Sequence, residues 1–244
     1  DVMIIGVTIG AKAVTIYALS KMMIFRVSES FTAVLGGITA SIGHLISENN
    51  FTKLANIRTK ILRYNLILGC LIVTYFACFN SSFISLWVES SNYIGEFTNL
   101  ILCFAGFFSL LCLVNDIYIN SLEVFKQKSK ILLATMVLFV ISAYFSSKTY
   151  GLLGIAISFL VSKFIQWLLY ENLLQKHIKI KTKNIFKDNH RVFILLFITI
   201  ILRIQYNDVL ADSWISFFLL SALFIVVYCI IVLSFIMTFK EKKI

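Results

Sequence analysis

Five ionisable side chains sit where an apolar sequence offers them no water. Lys21, Arg26 and Glu29 fall inside the apolar stretch 13–46, Asp116 inside 97–120, and Lys163 near the centre of 151–170. A charge at membrane depth is costly, turns toward a bundle interior or a wet cavity, and marks a functional site by default. Lysine offers a compact point charge and arginine a planar fork, and both suit the oxygens of an anion. The chemistry they suggest is the holding of phosphate or pyrophosphate at membrane depth. Lys21, Arg26 and Lys163 are therefore the candidate substrate-binding cations, with Glu29 and Asp116 as candidate cavity or coupling groups.

Helical spacing sharpens these assignments. Around 13–46, Lys21, Ser28, Thr32, Gly36, Glu29 and Arg26 gather on one side. Met23, Ile24, Val27, Phe31, Val34, Leu35 and Ile38 gather on the other, as a 3.6-residue period arranges them. One side is polar and cationic and should meet water; the other should meet lipid or a neighbouring helix. Arg26 and Glu29, three residues apart, also suit a structural ion pair. Lys21 has no acid three or four residues away, which makes it the better ligand candidate. Around Lys163, the residues Gly154, Ser158, Ser162 and Gln166 recur every fourth position, a small-residue stripe of the kind that packs helices closely in membranes. Asp116 shares a face with Ser109, Cys112 and Asn120 and stands about one turn from the expected cytoplasmic end. It is wetted there, pairs with a cavity Lys or Arg, or binds a coupling cation.

The elements that must carry these residues follow from composition. Of 244 residues, 59% are hydrophobic and only 14% charged, against about 25% charged in an ordinary soluble domain. Mean hydropathy is +0.91. That excludes a soluble enzyme, a disordered chain and a disulfide-stapled secreted domain, and points to an all-α, multi-pass helical bundle in a membrane. Proline is absent, so any bend must come from glycine pairs such as Gly36-Gly37 or from polar insertions. Complete or nearly complete spans are expected over 13–46, 61–79, 97–120, 131–147, 151–170 and 214–239, with a short one over 192–205. The run 2–9 is too short to span, since about 20 residues are needed. It reads as the remnant of a helix cut near its end.

The loops between these spans alternate in charge. Lys53, Arg58, Lys60 and Arg63 form one basic loop, Lys126, Lys128 and Lys130 the next, and Lys176, Lys179, Lys181, Lys183, Lys187 and Arg191 a third. Lys240, Lys242 and Lys243 close the tail. The intervening outer loops hold only Lys148 and Arg203, and the loop 80–96 has Glu89 and Glu96 without any Lys or Arg. The positive-inside rule then places the basic loops and the C-terminus in the cytoplasm and residues 1–10 near the outer face. The net charge of +10 is a topology signal spread over four regions without a nucleic-acid motif, so nucleic acid is not an expected partner. The stretch 173–190 is either a solvated linker or an interfacial helix drawn to anionic lipid. It divides the chain into a unit over 1–178, a linker over 179–191 and a terminal pair over 192–244.

Enzymatic signals are missing from this pattern. Cys70, Cys78, Cys103, Cys112 and Cys229 lie in apolar segments without metal-ligand spacing and read as packing residues. His44, His177 and His190 are too dispersed for a catalytic triad. No phosphate-binding glycine loop or nucleophile elbow occurs. No cofactor or metal is expected.

The order of local motifs carries a resemblance. DVMIIGVTIGAKAVTIYALSKMM, with Asp1, Gly10, Val14 and Tyr17, resembles the exit, turn and re-entry of a helix in a polysaccharide flippase lobe. ITASIGHLISENNFTKLANIRTKILRYN resembles the end of that helix and its basic loop, and SFISLWVESSNY a short outer loop. NSLEVFKQKSKILLA resembles an inner loop, and YGLLGIAISFLVSKFIQWLL the start of the last helix of the lobe. The chain is similar, over residues 1–178, to the lipid-linked oligosaccharide flippases of bacterial O-antigen and capsule synthesis. That family belongs to the superfamily of multidrug and toxin extrusion proteins and the lipid II flippase. The resemblance implies the second six-helix lobe of a two-lobe transporter, plus two terminal transmembrane helices. It implies alternating access that moves undecaprenyl-pyrophosphate-linked oligosaccharide across the bacterial inner membrane. Implied partners are membrane lipids, an N-terminal lobe of the same polypeptide, and the polysaccharide polymerase and chain-length machinery. The family's helix-bending prolines are missing here. Two other functions compete: a cation-coupled multidrug exporter, which needs cavity carboxylates, and a membrane polymerase or glycosyltransferase, which needs a sizeable outer loop. A scaffold role suits a half-length chain.

Overall fold

The computed structural model describes residues 1–178, 190–205 and 211–236. The described residues form helices and no strand. They are α1 (Val2–Thr8), α2 (Ala11–Gly36), α3 (Thr39–Ser47), α4 (Phe51–Trp87), α5 (Glu96–Ser121), α6 (Phe125–Ile178), α7 (His190–Gln205) and α8 (Trp214–Ile231). Among the described residues four helical stretches are long and apolar enough to cross a membrane: α4, α5, α6, and α8 with its continuation to Ser234. Their outer surfaces carry bare Leu133, Phe145, Ile215, Phe218 and Leu219. Water would not tolerate so much exposed apolar area, whereas lipid tails solvate it. The protein is an all-α, multi-pass membrane protein.

Local chemistry sets the element ends. The Asp1 carboxylate accepts from the Val2 amide and caps α1, and Asn50 caps α4 by accepting from the Lys53 amide. Ser213 and Ser216 cap α8 reciprocally. The stretch 13–46 is two helices rather than one: α2 stops at Gly36 and α3 starts at Thr39, where the glycine pair interrupts the apolar run. α2 also falls outside the four apolar stretches. Lys12, Lys21, Arg26 and Glu29 lower its hydropathy below that of a plain span.

One expected loop and part of a second prove to be helix. Lys53, Arg58, Lys60 and Arg63 belong to the first turns of α4. At 37 residues and about 1.5 Å per residue, α4 is longer than a hydrocarbon core requires. Asn80, Ser81 and Ser82 are buried in its other end, so the outer loop between α4 and α5 is shorter than 80–96. The two spans expected at 131–147 and 151–170 are limbs of α6, reversed at Gly151 with φ 58° and ψ −135°. Side chains avoid that conformation, and glycine adopts it freely.

The small-residue stripe welds the limbs of α6 together. The Ser162 hydroxyl donates to the Thr135 carbonyl at 2.9 Å, and the Ser146 and Ser158 hydroxyls lie 3.0 Å apart. A Cβ built on Gly154 would stand 2.3 Å from the Ser146 carbonyl oxygen, which is backbone and cannot swing aside. Gly154→Ala is therefore expected to cost about 1–3 kcal/mol by overpacking. Gly43→Ala, where a Cβ meets nothing within 4 Å, should stay within about 0.5 kcal/mol. Thermal unfolding of the two variants in detergent separates these values.

α5 is the central helix. Leu102, Cys103, Ala105, Val114 and Ile119 on it are fully buried, and it packs against α2, α3, α4 and α6. The terminal pair docks on α4. Tyr228 donates to the Ile67 carbonyl at 2.7 Å, Tyr75 bonds Ser221 at 3.0 Å, and Phe79 meets Phe217 and Phe224 edge-on. α7 begins at His190, inside the expected linker, and α6 runs to Ile178. The remainder of that linker, 179–189, lies outside the described residues, as does the basic tail 240–243.

Candidate functional site

Lys21 projects from α2 into a box of rings. Its ammonium lies 4.2 Å from the centroid of Phe159, 4.8 Å from Phe25 and 5.6 Å from Tyr17. The sequence offers Lys21 no acid on its own helix; the fold brings Asp1, from the start of α1, into an ion pair with it. Ring faces and a carboxylate together stabilise a cation that water only partly reaches.

Lys163 approaches the same place from the second limb of α6. Its ammonium stands 5.8 Å from the Phe159 centroid, so one ring faces both lysines. It donates to the Gln166 amide oxygen at 3.0 Å. Among the described residues it forms no ion pair. The backbone here is anchored from α5, where the Cys112 thiol donates to the Lys163 carbonyl at 3.6 Å.

Arg26 and Glu29 pair across one turn of α2 at 3.2 Å, with 72% and 63% of their side chains exposed. With Asp1, Tyr17, Lys21 and Phe25 they line a groove of about 240 Å³. The Tyr17 hydroxyl is buried there without a hydrogen-bond partner among the described residues. The structure thus gathers Lys21, Arg26 and Glu29 in one groove and sets Lys163 behind Phe159. The side chains of Ser28 and Thr32, which complete the expected polar face, lie outside the described residues.

Asp116 is engaged elsewhere. It accepts from Lys128 at 2.7 Å and from the Asn120 amide at 3.2 Å, and Lys128 also donates to Asn120 at 2.8 Å. This cluster ties the turn between α5 and α6. Its cation comes from the basic loop and not from the groove.

Two buried polar networks escaped sequence reasoning. Arg58, 1% exposed, donates to both Glu171 oxygens at 2.9 and 2.7 Å and to the Asn115 oxygen at 3.0 Å. The Asn115 amide donates to Glu171 at 3.1 Å. An arginine assigned to a wet loop is thereby the charge that joins α4, α5 and α6. Toward the other end of α4, Asn80 donates to the Ser20 carbonyl at 2.9 Å and to Asn99 at 2.6 Å. Asn99 donates to the Phe76 carbonyl at 3.0 Å. The signals were present: Glu171 is an acid at the end of an apolar run, and Asn80 and Asn99 flank a short loop.

All five cysteines are free thiols, three of them buried. Among the described residues no group of three His, Cys, Asp or Glu side chains is placed to hold a metal ion. No family model, curated protein or solved structure matches this chain.

Proposed function

We propose that this chain is one lobe of a flippase that carries an undecaprenyl-pyrophosphate-linked oligosaccharide across the bacterial inner membrane by alternating access. The reading gives it a partner lobe on the far side of the groove and a cytoplasmic C-terminus. The observation that carries it is the open, charged groove on α2. Arg26 lies near the middle of a 26-residue helix, and burying such a charge in lipid costs about 2.5–3.5 kcal/mol on insertion scales. An exposed ion pair at that depth is tolerable only against water or protein. A wet cavity between two lobes supplies both.

The charges favour an anion. Asp1 and Glu29 are each engaged by a cation, and Lys163 adds positive charge without a carboxylate. A pyrophosphate in the groove, with Lys163 adding positive potential from beside Phe159, satisfies that surplus, and the Tyr17 hydroxyl supplies a further donor. A multidrug exporter of organic cations needs free carboxylates at this place, and both acids of the groove are engaged.

The test is reconstitution of the reading frame in liposomes with a fluorescent short-chain polyprenyl-pyrophosphate-linked sugar. The expected result is transfer of the probe between leaflets in excess of protein-free vesicles, weakened in Arg26→Ala. Transfer of an organic cation with none of the lipid-linked sugar would favour the exporter.

A further inference from the structure

The four side-chain charges of the groove pair off completely: Asp1 with Lys21, and Arg26 with Glu29. An arriving anion must therefore draw a side-chain cation of the groove away from its carboxylate. The two pairs differ in what that exchange demands. Arg26 and Glu29 are exposed neighbours on one helix, and such pairs contribute little, about 0.3–0.5 kcal/mol. Lys21 and Asp1 are mostly buried beside three rings and come from different helices. α1 holds Asp1 in place through its fully buried Ile5 and packs on both α2 and α6.

Resting on the flippase reading, we propose that Asp1 is a tethered competitor of the anionic ligand, occupying Lys21 when the site is empty and returning to it as the ligand leaves. A site that presented all its cations bare would hold a pyrophosphate tightly and release it slowly. An internal carboxylate lowers the fraction of binding-competent sites and so weakens apparent affinity. It also gives Lys21 a partner at once when the ligand departs, which favours release on the far side. Asp1 is thus a positioning residue that acts through Lys21.

Asp1→Asn tests this, because asparagine has nearly the same shape as aspartate without the charge. The readouts are calorimetric titration of inorganic pyrophosphate into the detergent-purified protein and flipping in liposomes. Asp1→Asn should bind pyrophosphate at least about tenfold more tightly than the wild type, with a lower turnover at saturating lipid. Asp1→Glu should bind as the wild type does. A damaged or misfolded site gives weaker binding, so the gain separates competition from a structural role. If the wild type binds and Asp1→Asn binds equally or more weakly, the competition is overturned while the flippase reading stands. If neither protein binds pyrophosphate, the anion-carrying reading fails and takes the competition with it.

Discussion

Arg58→Ala is expected to destabilise the protein by about 3–5 kcal/mol, the range for removing one partner of a buried ion pair. The guanidinium makes three hydrogen bonds to Glu171 and Asn115 in a place that water does not reach. Without it, the Glu171 carboxylate remains buried with only the Asn115 amide for company. Glu171→Ala strands the opposite charge and should cost a similar amount. The double variant Arg58→Met, Glu171→Leu removes both charges and keeps apolar volume, so it should recover most of the loss. Unfolding midpoints in detergent and membrane abundance check all three variants. Single variants within about 1 kcal/mol of the wild type would mean that the pair is wetted, as exposed pairs are.

Lys163→Ala should behave in the opposite way. Among the described residues Lys163 holds a neutral amide and the Phe159 ring face and no carboxylate, so its removal strands none. Abundance and unfolding midpoint should stay close to the wild type. Flipping should fall about tenfold to a hundredfold, because a hydrogen bond to a charged group contributes about 1.5–3 kcal/mol. Lys163→Arg should keep more activity than Lys163→Ala, since the charge persists. Equal activity of Lys163→Ala and the wild type, at equal abundance, would remove Lys163 from the site. The contrast between Arg58 and Lys163 separates a charge that holds the fold from one proposed to await a ligand.

That contrast also marks what the sequence made legible. The membrane class followed from composition, and most helices followed from the apolar runs, because a long apolar stretch has few other fates. The polar side of α2 was legible because a helix period places Lys21, Arg26 and Glu29 together within nine residues. The stripe at Gly154, Ser158 and Ser162 was legible as a packing seam for the same local reason. Partners distant in sequence were not. Asp1 meets Lys21 across a turn between helices, and Arg58 meets Glu171 across 113 positions. Arg58 counts as a loop charge under the positive-inside rule, which weighs charge and is blind to pairing, yet it is a buried partner of Glu171. The reversal between the spans 131–147 and 151–170 was legible, because the apolar runs break around Lys148, but the dihedral pair at Gly151 that makes it was not.

We propose above that the charged groove serves a lipid-linked oligosaccharide. The most direct measurement of this is complementation: the reading frame is expressed in a bacterium deleted for its own O-antigen flippase, and surface polymer is assayed. Restored polymer is expected with the wild type and with Arg58→Met, Glu171→Leu, and sharply reduced polymer with Lys163→Ala at equal membrane abundance. Polymer undiminished in Lys163→Ala and Lys21→Ala, or absent in every strain despite verified membrane insertion, would contradict the proposal.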